Sequence, residues 1–394
     1  MRVRLLDLSQ QHRALSEQLR AATDEVLSSQ RFILGPKLAE FEAAAAKYCG
    51  APHAIGVSSG TDALLAVLMA LEIGIGDAVL TTAYSFFATG GCIARVGATP
   101  VFIDIEPETY NISAKSLRHY IETQCQVVEG KLASHDRQRI VALVPAHLFG
   151  VCCDMNEMLA IAREHSLVLI EDAAQAIGAE YPMANGAAKA GTIGDVGCFS
   201  FYPSKNLGAA GDAGLITSRN EHFAERLRQC RHHGMGAQYR HDFVGGNFRM
   251  DEIQAAILNV KLPHLDGWSA ARREAAGFYT KEFQRIGLDK KLTLPVEPYA
   301  RSGLTNHHIY HQYVIRTAQR DELRRHLADR EVETAIYYPL ALHEQPCFEY
   351  LGYKAGDFPE SERAARENLA LPIYPEIPRE AQQYVVNCIA EFFG

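Results

Sequence analysis

The sequence has no excess of positive charge, no cysteine pair at metal-binding spacing, no long uninterrupted apolar run and no repeat or low-complexity tract. Each absence removes a class of protein. With a formal charge of −8 over 394 residues, there is no electrostatic ground to expect a nucleic-acid binder, although a local basic groove for phosphate remains compatible. The nine cysteines are scattered, mostly in apolar segments, and none forms C-x-x-C, so zinc and iron–sulfur sites are not indicated. They read as buried thiols of a reducing compartment. Cys152 and Cys153 are adjacent, a spacing that bridges only under strain. Residues 1–7 lack an apolar signal region, and nowhere do about 18 uncharged apolar residues run together, so a soluble cytoplasmic protein is expected, with no membrane partner.

What is present is a globular composition. A hydrophobic content of 47% supports a sizeable core, enough for one large domain and a smaller one. From residue 37 to about 220, helical patterns alternate with short apolar runs at 54–57, 79–82, 100–103, 140–144 and 167–170. Continuous apolar runs mean strands buried on both faces, which predicts an α/β fold with a mostly parallel sheet and flanking helices. The polar stretch 123–138 reads as a surface insertion without catalytic duty. Residues 249–283 read as one long helix. The remainder reads as a smaller α+β unit with strands at 309–316 and 333–337 and helices at 320–329, near 360–370 and at 379–393. The predicted division is 1–260 and 261–394.

Cys198 to Gly208 carries one lysine, Lys205, among apolar and small residues after a strand-like run. Desolvation lowers a lysine's pKa towards a free amine able to form an imine with an aldehyde, which makes Lys205 the candidate to hold pyridoxal 5'-phosphate (PLP). That cofactor also needs an anion near its pyridine nitrogen, a phosphate cradle and an apolar or aromatic wall. Asp172 stands just past a buried strand, where open α/β sheets collect ligands, and can supply the anion. Helix capping is the ordinary alternative for such a residue, but a second buried charge at Lys205 calls for a shared partner. Gln175, on the same turn, can donate to the ring's phenolic oxygen, while Glu171 is assigned to structure.

The turn from Val57 to Ala63 places Gly60 and Thr61 at a helix start suited to phosphate, although Ser-Gly-Thr-Asp is also an ordinary N-cap. Ser200 offers a further hydroxyl. Phe86, after the next strand, can stack on the ring or serve the core. His147 fits either the site or a satisfied core position.

With these residues in hand, the chain resembles the DegT/DnrJ/EryC1/StrS family of sugar aminotransferases, PLP enzymes of fold type I, over nearly its whole length. The resemblance rests on Ile33 to Pro36, Gly60 to Leu64, Glu171 to Gln175, Ser200 to Gly208, Asn247 to Ala256, and Tyr337-Tyr338-Pro-Leu with His343. It favours Phe86 as the ring-facing aromatic. It implies a homodimer in which Asn247 reaches the other subunit's PLP phosphate and Arg249 lies near a nucleotide sugar, with Tyr202, Tyr337, Tyr338 and His343 contacting that sugar. The implied reaction moves an amino group from L-glutamate, through pyridoxamine 5'-phosphate, to a nucleotide-linked keto sugar for surface polysaccharide, lipopolysaccharide or glycoside synthesis. The Tyr202-Pro-Ser-Lys205 form of the lysine motif leans to C3 of a 3-keto sugar, with C4 amination as the alternative. A PLP-dependent sugar dehydratase and a non-enzymatic regulator are remoter readings. One departure stands out: family members read Gly-Asp/Glu-Gly-Gly where this chain has Gly211-Asp212-Ala213-Gly214. A shifted loop is expected if that third position needs positive φ.

Overall fold

The computed structural model describes residues 1–136 and 138–394. Helices Ser9–Ser29 (α1) and Pro36–Cys49 (α2) open the chain. Pro36 occupies the first turn, where its missing N–H costs nothing, and Gly50 ends α2 at φ 78°. His53–Val57 (β1), Gly60–Ala70 (α3), Asp77–Thr82 (β2), Phe87–Arg95 (α4), Thr99–Ile103 (β3) and Ala114–Gln124 (α5) then alternate. A hairpin of Cys125–Val128 (β4) and Lys131–Ser134 (β5) follows, where the polar insertion was expected; position 137 of that stretch lies outside the described residues. Alternation resumes with Arg139–Val144 (β6), Met155–Glu164 (α6) and Val168–Asp172 (β7). A second hairpin, Glu180–Met183 (β8) with Gly186–Lys189 (β9), precedes Val196–Ser200 (β10), Gly214–Ser218 (β11) and Glu221–Cys230 (α7). A short ribbon, Met235–Ala237 (β12) with Arg240–His241 (β13), leads to Glu252–Lys261 (α8) and Leu265–Arg285 (α9). The chain closes with Tyr313–Arg316 (β14), Arg320–Asp329 (α10), Pro359–Glu367 (α11), Asn368–Leu371 (β15) and Arg379–Phe393 (α12).

The central sheet runs β1-β11-β10-β7-β6-β2-β3, with the β4–β5 hairpin attached beside β6. β10, β7, β6, β2 and β3 are parallel neighbours, and β11 is antiparallel to both β10 and β1. Both faces are apolar, as continuous runs require: Leu143, Leu169, Phe199 and Leu215 enter one core, while Ala142, Ile170, Cys198 and Ile216 enter the other. Burying a side chain such as Phe199 contributes about 2 kcal/mol by area. No helix among the described residues is long and apolar enough to cross a membrane.

Three sequence expectations change. The helix expected over 249–283 begins at Glu252 and is broken at Leu262–His264, because Pro263 has no N–H to continue the ladder. The strand expected at 333–337 is absent; within it only Ala335 makes an isolated bridge, to Ala370, while the neighbouring Val332 pairs with Val3. Residues 368–371, which overlap the end of the helix expected near 360–370, instead form β15 against β14. Val3 joins the core of Tyr279, Phe283, Leu323 and Val385, so the first residues pack on the C-terminal part. Seven cysteines are buried, but Cys125 on its hairpin is half-buried and Cys347 is exposed.

Candidate active site

The parallel strands all deliver their carboxyl ends to one edge of the sheet, and the reversed β11 brings its amino end there. A cleft of about 560 Å³ opens at this edge. Its lining takes Gly60 and Thr61 from after β1, Ser85 and Phe86 from after β2, His147 from after β6, Asp172 from the end of β7, Ser200 and Lys205 from β10 and its following loop, and Asp212 before β11. The C-terminal part supplies the facing wall through His311, Gln312, Tyr337 and Tyr338.

Lys205 is half-buried in this cleft. Desolvation pulls its ammonium down from 10.5 to about 8, with the Asp172 carboxylate opposing the shift. Asp172 is held rigidly: Thr89 Oγ1 donates to Oδ2 at 2.7 Å, and the Ala174 N–H donates to Oδ1 at 3.2 Å. Because Thr89 spends its proton on the carboxylate, the Ser85 hydroxyl 2.9 Å away donates to Thr89. Beneath them, Glu171 is fully buried and accepts from the backbone N–H groups of Gly191, Ile193 and Gly194 at 2.8, 2.6 and 2.6 Å. His147 Nδ1 accepts from the Cys153 N–H at 3.1 Å, so its Nε2 carries the hydrogen donated to Glu171 at 2.9 Å. His147 therefore lines the cleft while both its ring nitrogens serve the interior.

At the start of α3, the Asp62 N–H goes to Ser59 Oγ and the Ala63 N–H to Ser59 O. Those of Gly60 and Thr61 find no partner among the described residues. Close packing makes small residues necessary here. A Cβ on Gly60 would lie 2.7 Å from Ser200 Cβ, and one on Gly214 would lie 2.4 Å from the Ser59 backbone. Ala213, by contrast, is buried with negative φ, and its carbonyl accepts the Phe201 N–H at 2.8 Å. The shift expected at that position is not needed, since the position that demands glycine is 214.

On the facing wall, Tyr338 Oη accepts from Gln175 Nε2 at 2.9 Å, while Gln175 Oε1 accepts from the Phe149 N–H at 2.9 Å. One Nε2 hydrogen of Gln175 is left for a ligand. Fully buried Tyr84 fixes this wall, donating to Tyr337 O at 2.7 Å and accepting from the Tyr338 N–H at 2.7 Å. Phe86 and Tyr202 form the rim, each 55% exposed, and the Phe86 ring stands 6.0 Å from that of Tyr338.

Three expected site residues are not in this cleft. His343 is buried away from it, with Nε2 at 3.3 Å from Glu362 and its ring packed 4.7 Å from Phe358, so it is corrected to a core residue. Asn247 is exposed, and Arg249 bridges to Val57 and donates to His232 Nδ1 at 2.9 Å, both outside their own chain's cleft. Sequence reasoning in turn missed Thr89, Asn206, His311 and Asp212.

A group with an aldehyde, a basic ring nitrogen and a phosphate fits these donors. Lys205 supplies an amine near neutrality, Asp172 a fixed carboxylate, and the start of α3 free N–H groups beside glycines that cannot bear a side chain. Comparison with known proteins agrees. Residues 13–390 match the model of the DegT/DnrJ/EryC1/StrS aminotransferase family, and the chain belongs to that family. It is a PLP-dependent aminotransferase with the aminotransferase fold. A Geobacillus stearothermophilus relative named "Pleiotropic regulatory protein" is 46% identical, covering 100% of this chain and 99% of its own. A relative from Acidithiobacillus ferrooxidans, named as a UDP-N-acetyl-3-dehydro-alpha-D-glucosamine 3-aminotransferase, is 38% identical over 95% of this chain and 94% of its own. The crystal structure of DesV from S. venezuelae with a ketimine intermediate superposes with a TM-score of 0.89 at 36% identity, covering 99% of this chain and 98% of that one.

Proposed function

We propose that this chain transfers the amino group of L-glutamate to the C3 carbonyl of a nucleotide-linked 3-keto hexose, giving a 3-amino sugar nucleotide for surface polysaccharide, lipopolysaccharide or glycosides. The observation that carries the reading is the pairing, in one cleft, of a desolvated Lys205 amine with a carboxylate fixed by Thr89. Position C3 is supported by the Acidithiobacillus relative's name and by the Tyr202-Pro-Ser-Lys205 motif. The Geobacillus relative's name favours a regulatory reading, against which stands the complete set of chemical groups in the cleft.

When bound, PLP supplies an electron sink that lets an amino group exchange for a carbonyl oxygen. Lys205 anchors it and, once displaced, moves the substrate Cα proton, acting as base and then as acid. Asp172 would pair with the ring nitrogen and hold it cationic. Gly60, Thr61 and Ser200 would take the phosphate, Phe86 would cover the ring, and the free Nε2 hydrogen of Gln175 would serve the phenolic oxygen. Tyr202, Tyr337 and Tyr338 receive the nucleotide sugar. Asn247 and Arg249, lying outside their own cleft, serve the cleft of a partner in a cytoplasmic homodimer.

The test offers the pyridoxamine 5'-phosphate-loaded enzyme a panel of UDP- and dTDP-linked 3-keto and 4-keto hexoses, with product regiochemistry read by NMR. Amination at C3 is expected. Turnover of 4-keto sugars alone would move the reaction to C4, and no turnover of any sugar together with a spectrum of the PLP-loaded form unchanged by glutamate would favour a regulator.

A further inference from the structure

Lys205 is followed by Asn206, which is buried and uses both ends of its amide. Nδ2 donates to Ile309 O at 3.1 Å, which turns Oδ1 to His311 Nδ1 at 3.0 Å. Since that oxygen only accepts, Nδ1 must carry the imidazole hydrogen. The backbone around His311 is pinned from two further sides. The Ile309 N–H donates to Gly150 O at 2.9 Å, and Arg272 Nη1 donates to the carbonyls of Tyr310 and His311 at 3.2 Å each. The ring is thus fixed, 7% exposed, in the wall of the cleft that contains Lys205, and its Nε2 has no partner among the described residues.

Burial and the cations of Lys205 and Arg272 push the His311 pKa well below its usual 6.5. Nε2 is therefore a standing acceptor. Other titratable groups facing this corner are Asp172 and His147 from the sheet, Asp212 from the loop, and Tyr337 and Tyr338 from the opposite wall. Asp172 has its oxygens engaged by Thr89 and Ala174.

We propose that the Asn206–His311 pair is a positioning device for Lys205: the fixed neutral imidazole accepts a hydrogen bond from the lysine amine during the part of the cycle in which that amine is free of the cofactor. This rests on the reading of Lys205 as the cofactor's amine. A carboxylate in the same place would trap the lysine as ammonium, whereas a neutral acceptor holds it in place and leaves it basic. His311 is a positioning residue that acts through Lys205.

The experiment uses the full chain loaded with pyridoxamine 5'-phosphate, with the pH dependence of Lys205 acylation read by peptide mapping. His311→Phe removes the acceptor, which also helps to hold the ammonium form. The ionisation midpoint of Lys205 is expected to fall by about one unit, roughly a tenfold change in the amine-to-ammonium ratio. Both half-reactions are nonetheless expected to slow by ~10-fold or more, because a loose amine is misplaced. More free amine with slower transfer is a signature that loss of packing does not produce. His311→Gln, which keeps an acceptor, should restore most of both. A Phe variant with wild-type midpoint and rates, or a Gln variant as impaired as Phe, overturns the proposal.

Should the Phe variant not fold, 15N NMR of the wild-type chain decides. Nε2 must be unprotonated at pH 6, and its resonance must move on Lys205→Met; a protonated or unmoved Nε2 overturns the proposal. Borohydride reduction of the PLP form separates the two readings. A pyridoxyl tag away from Lys205 defeats the functional reading whatever His311 does, and a tag on Lys205 with an unmoved midpoint defeats the positioning role alone.

Discussion

The floor of the cleft and its rim are built on different principles. On the floor, Asp172, Thr89, Glu171 and His147 are all buried and tied to strand ends by hydrogen bonds of 2.6–3.2 Å. On the rim, Phe86 and Tyr202 are each 55% exposed. The floor is assembled before any ligand arrives, which is what catalysis by preorganised charge requires. The rim keeps freedom to accommodate what the floor acts upon. Substitutions on the floor should therefore lower kcat, and those on the rim should raise KM.

The largest effect is expected from Lys205→Met, which removes the proposed anchor and proton carrier together and should cut turnover by ~10⁴-fold or more. Single-turnover kinetics with glutamate would measure it, and substantial retained activity would remove Lys205 from the centre of the floor. The same change should stabilise the cofactor-free chain. A lysine whose folded pKa is about 8 against 10.5 in the unfolded chain burdens the fold fully below pH 8, progressively less as pH rises to 10.5, and not above. Urea unfolding should accordingly find the Met variant more stable than wild type at pH 6–7, with the gap closing by pH 10.5. A gap that widened with pH would show that Lys205 is not desolvated.

Asp172→Asn keeps the shape of the floor while removing its charge, and a fall in kcat of ~10²–10³-fold is expected. Thr89→Val leaves the charge but frees the carboxylate, costing about 2 kcal/mol of orientation. If Thr89→Val proved as harmful as Asp172→Asn, fixing the carboxylate would matter as much as its charge. Tyr338→Phe, at the border between floor and rim, loses the Gln175 hydrogen bond, worth about 1 kcal/mol. A severalfold higher KM with nearly unchanged kcat is the expected reading in steady-state assays.

The same contrast governs what could be read from the sequence. The alternating apolar runs and the turns after them are local signals, so the parallel sheet and the candidates Lys205, Asp172 and Gly60 stand out in the chain itself. Thr89 meets Asp172 across 83 residues and His311 meets Asn206 across 105, and neither threonine nor histidine carries a local signature for such a partner. His343 shows the opposite error. Its place beside a tyrosine motif suggested a ligand contact, yet Phe358 and Tyr353 supply an apolar pocket that draws the ring inward. Pro263 did carry a local signal, since a proline in the interior of a helical pattern removes a ladder hydrogen bond.

The smallest effect is expected from Tyr202→Ala. Tyr202 neighbours the lysine in sequence, with the Lys205 N–H donating to its carbonyl at 2.8 Å, but its side chain stands in solvent at the rim. The backbone bond that shapes the lysine's turn survives the substitution, so the floor keeps its geometry and kcat should change less than about twofold, within the range of a surface change. On the proposed reading, what is lost is an aromatic face against the nucleotide sugar, worth about 1 kcal/mol, which predicts a KM some fivefold higher for the sugar and unchanged for glutamate. Measuring both KM values on one preparation discriminates sharply. A rise for glutamate as well would place Tyr202 in the floor's machinery, and a fall in kcat comparable to that of Asp172→Asn would erase the distinction between floor and rim.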